Sequence, residues 1–372
     1  MAIGIFGGSF DPVHKEHVNF VRAAADQLNL RKVIVVPSFL APHKRGGAFA
    51  GAEDRLHLTQ IAFRDLPYVE VSDYEIAQGG TSYSYLTCAH FAAKYPNEER
   101  FLLMGADMLE NFFFWKNPQE ILRNVTLAVC DRGGEQTAPL AEKFYKAFQT
   151  KFVTVGFTGR EISSTRLRVD LAFGKSSSAL NQRVAEAIAR RGLYTYRCIA
   201  PALALEKEER REHSYRVAVM AAARARSAGV SEEKALLAAA LHDCAKHVPL
   251  SSPMLAGFLP SEGVPAPVMH QYTGAYLAEH AFGIRDWEVL DAIRYHASGK
   301  ENMSALGKLV YLADLLEEAR DFAGIEVLRA VFWKDLDLCM KLALQNQIAY
   351  LKSTGKQVYP LTECAYRWLL RE

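Results

Sequence analysis

The sequence predicts two folds in one chain: a doubly wound α/β domain over residues 1–197, then an all-α domain over residues 198–372. Three observations predict it. Short apolar runs alternate with helical patterns as far as about residue 195, as in a parallel sheet with helices on both faces. After Tyr196 the β-branched runs give way to stretches rich in Ala, Leu, Glu and Arg. The 372 residues suit two domains, or three, at roughly 100–200 residues each, and the 50% hydrophobic content lets each half bury a core.

The elements follow in order. Ile3 to Phe6 reads as a strand, and Val18, Val21, Ala25 and Leu28 then recur at spacings of three and four, which predicts an amphipathic helix. Strand-like runs follow at Val33–Val36, Val69–Val71, Phe101–Met104, Val125–Val129 and Phe152–Val155, with helical stretches between most of them. Ligands of such sheets bind beyond the carboxyl ends of the strands, where Gly7-Gly8, Pro37-Ser38, Gly105 and Arg132-Gly133 lie. In the second half, Val217 to Arg226 and Glu232 to Leu241 are the clearest helices, and Pro249 to Pro267 is the one long loop-like interruption. The domain boundary falls near residues 195–205.

A net charge of +2 is too weak to argue for a nucleic-acid surface or an anionic membrane, and neither is expected as partner. No run of 18 apolar residues is present, and the first residues lack the pattern of a signal peptide. Cys88, Cys130, Cys198, Cys244, Cys339 and Cys364 form no CxxC pair, so reduced thiols and a cytoplasmic protein are expected.

Gly7 and Gly8 let the backbone turn after the first strand and approach a phosphate, with Ser9 and Phe10 following. His14 and His17, three apart at a helix start, place two imidazole donors where charge builds on a phosphoryl group. Ile162-Ser163-Ser164-Thr165-Arg166-Leu167-Arg168 repeats the logic with hydroxyl caps, outward amides and arginines. Each piece alone is an ordinary turn, surface pair or helix cap; the order and spacing carry the signal.

The segment Gly8-Ser9-Phe10-Asp11-Pro12-Val13-His14-Lys15-Glu16-His17 resembles the signature of the nucleotidyltransferase superfamily. Pro42-His43-Lys44, Thr81-Ser82-Tyr83-Ser84, Gly105-Ala106-Asp107, Trp115, Val129-Cys130-Asp131-Arg132, the 162–168 motif and Arg191-Gly192-Leu193-Tyr194 extend the likeness to bacterial nicotinate-nucleotide adenylyltransferase over residues 1–195. The resemblance implies a Rossmann-like domain that transfers adenylyl from ATP, with Mg²⁺ carried by its phosphates, to nicotinate mononucleotide. By it, His14 and His17 bind the phosphates, assisted by Lys44, Ser164 and Arg168. Gly105, Asp107, Arg132 and Ile162 line the nucleotide, Trp115 stacks on the nicotinate ring, and backbone near Ser84 meets the carboxylate. The family usually has Gly where this chain has Glu16, which puts a side chain beside the phosphate site.

In the second half, His213, His242, Asp243, His270, His296 and Asp314 are spread over about 100 residues of expected helix. Imidazole nitrogen with carboxylate oxygen suits Fe, Mn, Zn or Ni, and an Asp in the His242-Asp243 pair can bridge two metals for in-line hydrolysis of a phosphate. A lone buried His is more often a satisfied core residue; six in this order are not. The pattern resembles the HD phosphohydrolases. His242-Asp243-Cys244-Ala245-Lys246, His270 with Gly274-Ala275-Tyr276-Leu277, Ala292 to His296, and Tyr311 to Asp314 are similar to the bacterial symmetrical diadenosine tetraphosphatases. That likeness implies cleavage of diadenosine tetraphosphate to two ADP at two metals, iron first among them, with Lys246 and Arg320 facing phosphates. Ser298-Gly299 stands where the family has Thr-Gly, and His247, His280 and Cys244 match no ligand position.

Two rival readings keep the folds. The halves could act on another acceptor, such as phosphopantetheine, and another nucleotide, or the second half could be a regulatory nucleotide-binding module; its full ligand set argues against the latter. A homo-oligomer is left open.

Overall fold

The computed structural model describes residues 1–41, 49–131, 137–157, 159 and 162–371. It divides into two compact units, Met1–Leu167 with Ser177–Tyr194, and Arg168–Ser176 with Thr195–Glu372. The segment Arg168–Ser176, which a cut after residue 197 leaves in the first half, groups with the C-terminal helices.

The first unit is built on six parallel strands: β1 Ala2–Gly8, β2 Leu30–Pro37, β3 Val69–Val71, β4 Glu99–Gly105, β5 Thr126–Asp131 and β6 Val153–Gly156. Their order is β3-β2-β1-β4-β5-β6, the doubly wound arrangement in which connections diverge from β1 and β4. Helices α1 Lys15–Gln27, α2 Ala52–Phe63, α3 Tyr74–Gln78, α4 Ser84–Lys94, α5 Ala106–Phe112, α6 Pro118–Asn124, α7 Ala138–Phe148 and the start of α8 Ser164–Ala172 connect the strands and continue from β6; α9 Gln182–Arg191 closes the unit. A sheet covered on both faces needs strands apolar throughout: Val33, Ile34, Val35 and Val36 are all fully buried. α1 turns Phe20, Val21, Ala24 and Ala25 inward and gives way at Asn29, whose φ of 49° suits a residue tolerant of the left-handed region.

The second unit is helical: the remainder of α8, then α10 Ile199–Leu203, α11 Glu208–Ala225, α12 Glu232–Leu241, α13 Ala266–His280, α14 Trp287–Arg294, α15 Ala305–Leu316, α16 Ile325–Phe332, α17 Leu336–Ser353 and α18 Pro360–Leu369. The Pro-rich interruption holds a short 3₁₀ turn at Pro253–Leu255. Ser231, Asp286, Ser304 and Asp335 cap α12, α14, α15 and α17 by accepting backbone N–H bonds. Ala218, Ala221, Ala222 and Ala225 of α11 are buried with Ala235, Ala238 and Ala239 of α12 in one core, and small residues let helices approach closely. Among the described residues, no helix is long and apolar enough to cross a membrane.

Candidate active sites

In the first unit β1 and β4 are parallel neighbours, so the turn after Gly8 and the turn at Gly105 lie at the same edge of the sheet, where ligands of such sheets bind. A Cβ on Gly8 would stand 2.9 Å from the Phe10 ring, and Phe10 itself has a φ of 47°. Gly8 is therefore required by the chain's own packing. A Cβ on Gly7 would meet nothing within 4 Å among the described residues, so a glycine there answers no internal demand. Gly105 caps α5, and the exposed Asp107 folds its carboxylate back over it, where a Cβ would collide.

The turn is held from outside the motif. Asp11 accepts the N–H of Phe49 at 2.9 Å, the N–H of Ala50 at 3.2 Å and the Tyr194 hydroxyl at 2.8 Å. Arg55, buried in α2, donates to the carbonyls of Ala50, Ser9 and Phe39; burial pushes its guanidinium pKa down, against the pull of Asp11. Sequence reasoning missed Arg55, because nothing in its local pattern marks it.

His14 caps α1, and its backbone N–H donates to His17 Nδ1 at 3.1 Å. A neutral imidazole has one donor and one acceptor nitrogen, so this bond leaves the proton of His17 on Nε2. The two rings stack with centroids 3.7 Å apart. The second expected helix start comes to the same place: Ser164, first residue of α8, has its hydroxyl 3.4 Å from the Pro12 carbonyl, which accepts, and Ile162 precedes it half-buried. Glu16 is buried along the side of α1. One of its oxygens accepts from Asn19 Nδ2 at 3.2 Å, and the other lies against Gly159.

Trp115 is half-buried, packed on the apolar core 5.3 Å from the Phe112 ring. The next residue, Lys116, sets its ammonium 4.4 Å from the centroid of Tyr83, so this chain segment abuts the N-terminus of α4, where Ser84 is the first residue. Arg168 is placed differently from the sequence expectation: it is buried, and its Nε donates to the Glu232 carboxylate at 2.8 Å. One face of the guanidinium is thus paired with a carboxylate. Lys44 and Arg132 lie outside the described residues.

In the second unit five helices deliver the six candidate ligands. His213 sits on α11 and His270 on α13; His242-Asp243 follows α12, His296 follows α14 and Asp314 lies on α15. His213, His242 and Asp314 offer atoms within 4.8 Å of one another, as do His242, Asp243 and His296. His270 Nε2 joins the second group, 3.1 Å from Asp243 Oδ1 and 3.1 Å from His296 Nε2.

The rings are aimed by their far nitrogens. His242 Nδ1 bonds the Ala239 carbonyl at 2.6 Å, and His296 Nδ1 bonds the Ile293 carbonyl at 2.7 Å, both three residues back. His213 Nδ1 bonds Glu317 Oε1 at 3.1 Å. A ring that donates through Nδ1 presents a lone pair on Nε2, which is how histidine binds metals. His213 Nε2, His242 Nε2 and Asp243 Oδ1 are buried with no hydrogen-bond partner. Orphaned buried lone pairs are costly unless something cationic takes them, so this donor set fits divalent metals. Burial pushes His242 down to about 4, against the pull of Asp243 and Asp314, so it is neutral at pH 7. Burial alone would raise the carboxyls of Asp243 and Asp314, but the surrounding histidines hold both well below the usual range.

Cations ring the cluster. Arg210 Nη1 lies 2.9 Å from Asp243 Oδ2, Arg320 Nη2 lies 2.8 Å from Asp314 Oδ1, and Lys246 Nζ lies 3.6 Å from Asp243 Oδ1. A cavity of about 340 Å³ opens beside His213 with Lys207, Arg210, Arg216, His247 and Arg320 among its lining. Sequence reasoning left His247 without a place in the site and missed Arg210, Arg216 and Glu317. Cys244 is fully buried as a packing residue, as expected, and His280 stacks on Tyr276.

Comparison with known proteins agrees with both halves. Residues 5–169 match the cytidylyltransferase-like family model and residues 210–319 the HD domain model. A Mycoplasma pneumoniae protein named probable nicotinate-nucleotide adenylyltransferase/Ap4A hydrolase is 29% identical over 95% of this chain and 99% of its own length. A probable nicotinate-nucleotide adenylyltransferase of Aquifex aeolicus is 35% identical over 43% of this chain and 98% of its own. A solved structure from Clostridium acetobutylicum, described as a predicted HD superfamily hydrolase involved in NAD metabolism, is 29% identical and covers 46% of this chain and 95% of its own, with a TM-score of 0.42.

Proposed function

Because the chain belongs to the nicotinate-nucleotide adenylyltransferase family through its first half and carries an HD domain in its second, we propose that it is a cytoplasmic enzyme with two reactions. In the first, a phosphate oxygen of nicotinate mononucleotide attacks the α-phosphorus of ATP. The bond to the β-phosphate breaks, giving nicotinate adenine dinucleotide and pyrophosphate. In the second, water cleaves diadenosine tetraphosphate into two ADP.

For transfer, His17 donates its Nε2 proton in a hydrogen bond to the phosphates, beside His14. The backbone of Gly7, Gly8, Ser9 and Phe10 and the starts of α1 and α8, with Ile162 and Ser164, cradle them. No covalent intermediate is needed, since positioning and charge stabilisation account for such transfers. Gly105 and Asp107 hold the adenosine, Trp115 stacks on the nicotinate ring and backbone at Ser84 meets its carboxylate. Lys44 and Arg132 keep the roles that the family likeness implies. Mg²⁺ accompanies ATP.

For hydrolysis, His213, His242 and Asp314 would hold one metal and His270 and His296 another, with the Asp243 carboxylate beside both groups. Bound metals, iron first among the candidates, supply charge neutralisation and activation of the attacking water. Lys246, Arg210 and Arg320 orient the phosphates, and the cavity beside His213 receives the rest of the polyphosphate. The observation that carries this half is the set of orphaned lone pairs on His213, His242 and Asp243.

Product analysis of the purified protein tests both reactions. One sample receives ATP, Mg²⁺ and nicotinate mononucleotide, the other diadenosine tetraphosphate with Fe²⁺ or Mn²⁺. Dinucleotide in the first and ADP as the one product in the second are expected. Activity with a different acceptor, or none in either sample, would overturn the corresponding half.

A further inference from the structure

We infer that the two metal positions of the HD half are unequal: Glu317 makes the position at His213, His242 and Asp314 the tighter, and Lys246 makes the position at His270 and His296 the weaker. The inference rests on the hydrolase reading and adds an order of loading to it.

Glu317 lies just beyond α15, three residues past Asp314, and is almost fully buried. Its Oε1 takes the Nδ1 proton of His213 at 3.1 Å, while Oε2 takes Arg216 Nε at 2.5 Å and the Ala319 N–H at 2.8 Å. A guanidinium and a backbone amide both donate to the same oxygen, the surroundings of a carboxylate rather than a carboxylic acid. An anion fixed behind an imidazole locks the ring's tautomer and raises the basicity of its other nitrogen. His242 and His296 have only neutral carbonyls behind them, so His213 is the strongest nitrogen donor of the set. Glu317 acts through His213 and is a positioning residue.

Both positions carry a cation on a candidate ligand atom, Arg320 Nη2 on Asp314 Oδ1 at 2.8 Å at the first, but at the second the cation stands on a ring nitrogen with no anion fixed behind the ring among the described residues. Lys246 Nζ stands 3.0 Å from His270 Nε2, the atom this ring would give to a metal, and 3.5 Å from its Nδ1. The same ammonium is 3.6 Å from Asp243 Oδ1. Lysine has donors and no acceptor, so it occupies the His270 Nε2 lone pair that a cation would need. A metal entering here must displace it and then lie beside its charge.

The test is titration of the chelator-stripped full-length protein with Mn²⁺, reading free Mn²⁺ by electron paramagnetic resonance. Two resolved steps are expected. Glu317→Gln weakens the first step by about 10–100-fold, the usual effect of losing such a partner, and Lys246→Met tightens the second. Arg216→Met, which loosens the clamp on Glu317, weakens the first step by less and serves if Glu317→Gln fails to fold. A single affinity for both ions, or a first step unchanged in folded Glu317→Gln, overturns this inference and leaves the hydrolase reading standing. No Mn²⁺ binding at all overturns both.

Discussion

The imidazole of His213 and the carboxylate of Glu317 meet at 3.1 Å across 104 residues of sequence. That contact orients a candidate ligand on α11, because the proton it donates from Nδ1 leaves Nε2 facing His242 and Asp314. The first unit uses the same device over three residues: the His14 backbone N–H fixes the His17 ring.

Under the proposed function, the two chemistries fall to different residues. His17→Ala is expected to lower the rate of adenylyl transfer by about 10²–10³-fold, as for loss of one aligned donor to a developing charge, and to leave hydrolysis intact. Asp243→Ala is expected to abolish hydrolysis and metal retention and to leave transfer intact. Parallel assays on each variant check this. Loss of both activities from either change, in a folded protein, would contradict separate sites.

The two glycines after β1 separate packing from ligand binding. Gly8→Ala pushes a methyl against the Phe10 ring, 2.9 Å away, and is expected to destabilise by about 1–3 kcal/mol. Gly7→Ala meets nothing within 4 Å among the described residues. It is expected to keep the melting temperature and to weaken ATP binding about tenfold or more, because the methyl stands where a phosphate would approach the backbone. Calorimetric melting and ATP titration of both variants decide the point; unchanged ATP affinity in Gly7→Ala would remove the phosphate from this turn.

Glu206 gives the second unit a pH dependence. It is buried, accepts from the Ser214 hydroxyl at 2.9 Å, and burial pushes its carboxyl from 4.5 up to about 8, with Ser214 opposing and Asp243 adding to the rise. A raised pKa means that the folded chain keeps a proton the unfolded chain has released. The group's stabilisation is therefore full below pH 4.5 and is lost as pH rises towards 8, at up to about 1.4 kcal/mol per unit. Melting of the chelator-treated protein between pH 5 and pH 8 should show a steeper loss in the native protein than in Glu206→Gln. Equal slopes would show that Glu206 does not carry it.

Much of this protein was legible in the chain. The strand runs at Val33–Val36 and Val69–Val71 lie within or coincide with β2 and β3, because a sheet covered on both faces leaves its apolar pattern in consecutive residues. The candidate ligands His213, His242, Asp243, His270, His296 and Asp314 stood out through short local motifs, and the structure brings them together. Local sequence reports periodicity, caps and motif spacing. It does not report which distant side chain lies behind a given ring. Glu317 behind His213, Lys246 against His270, Arg55 under the Ser9 carbonyl and Glu232 on Arg168 were decided by the packing of elements far apart in the chain. A buried charge takes the partner that packing presents to it. For Arg168 that partner is the Glu232 carboxylate, a contact the local motif does not report.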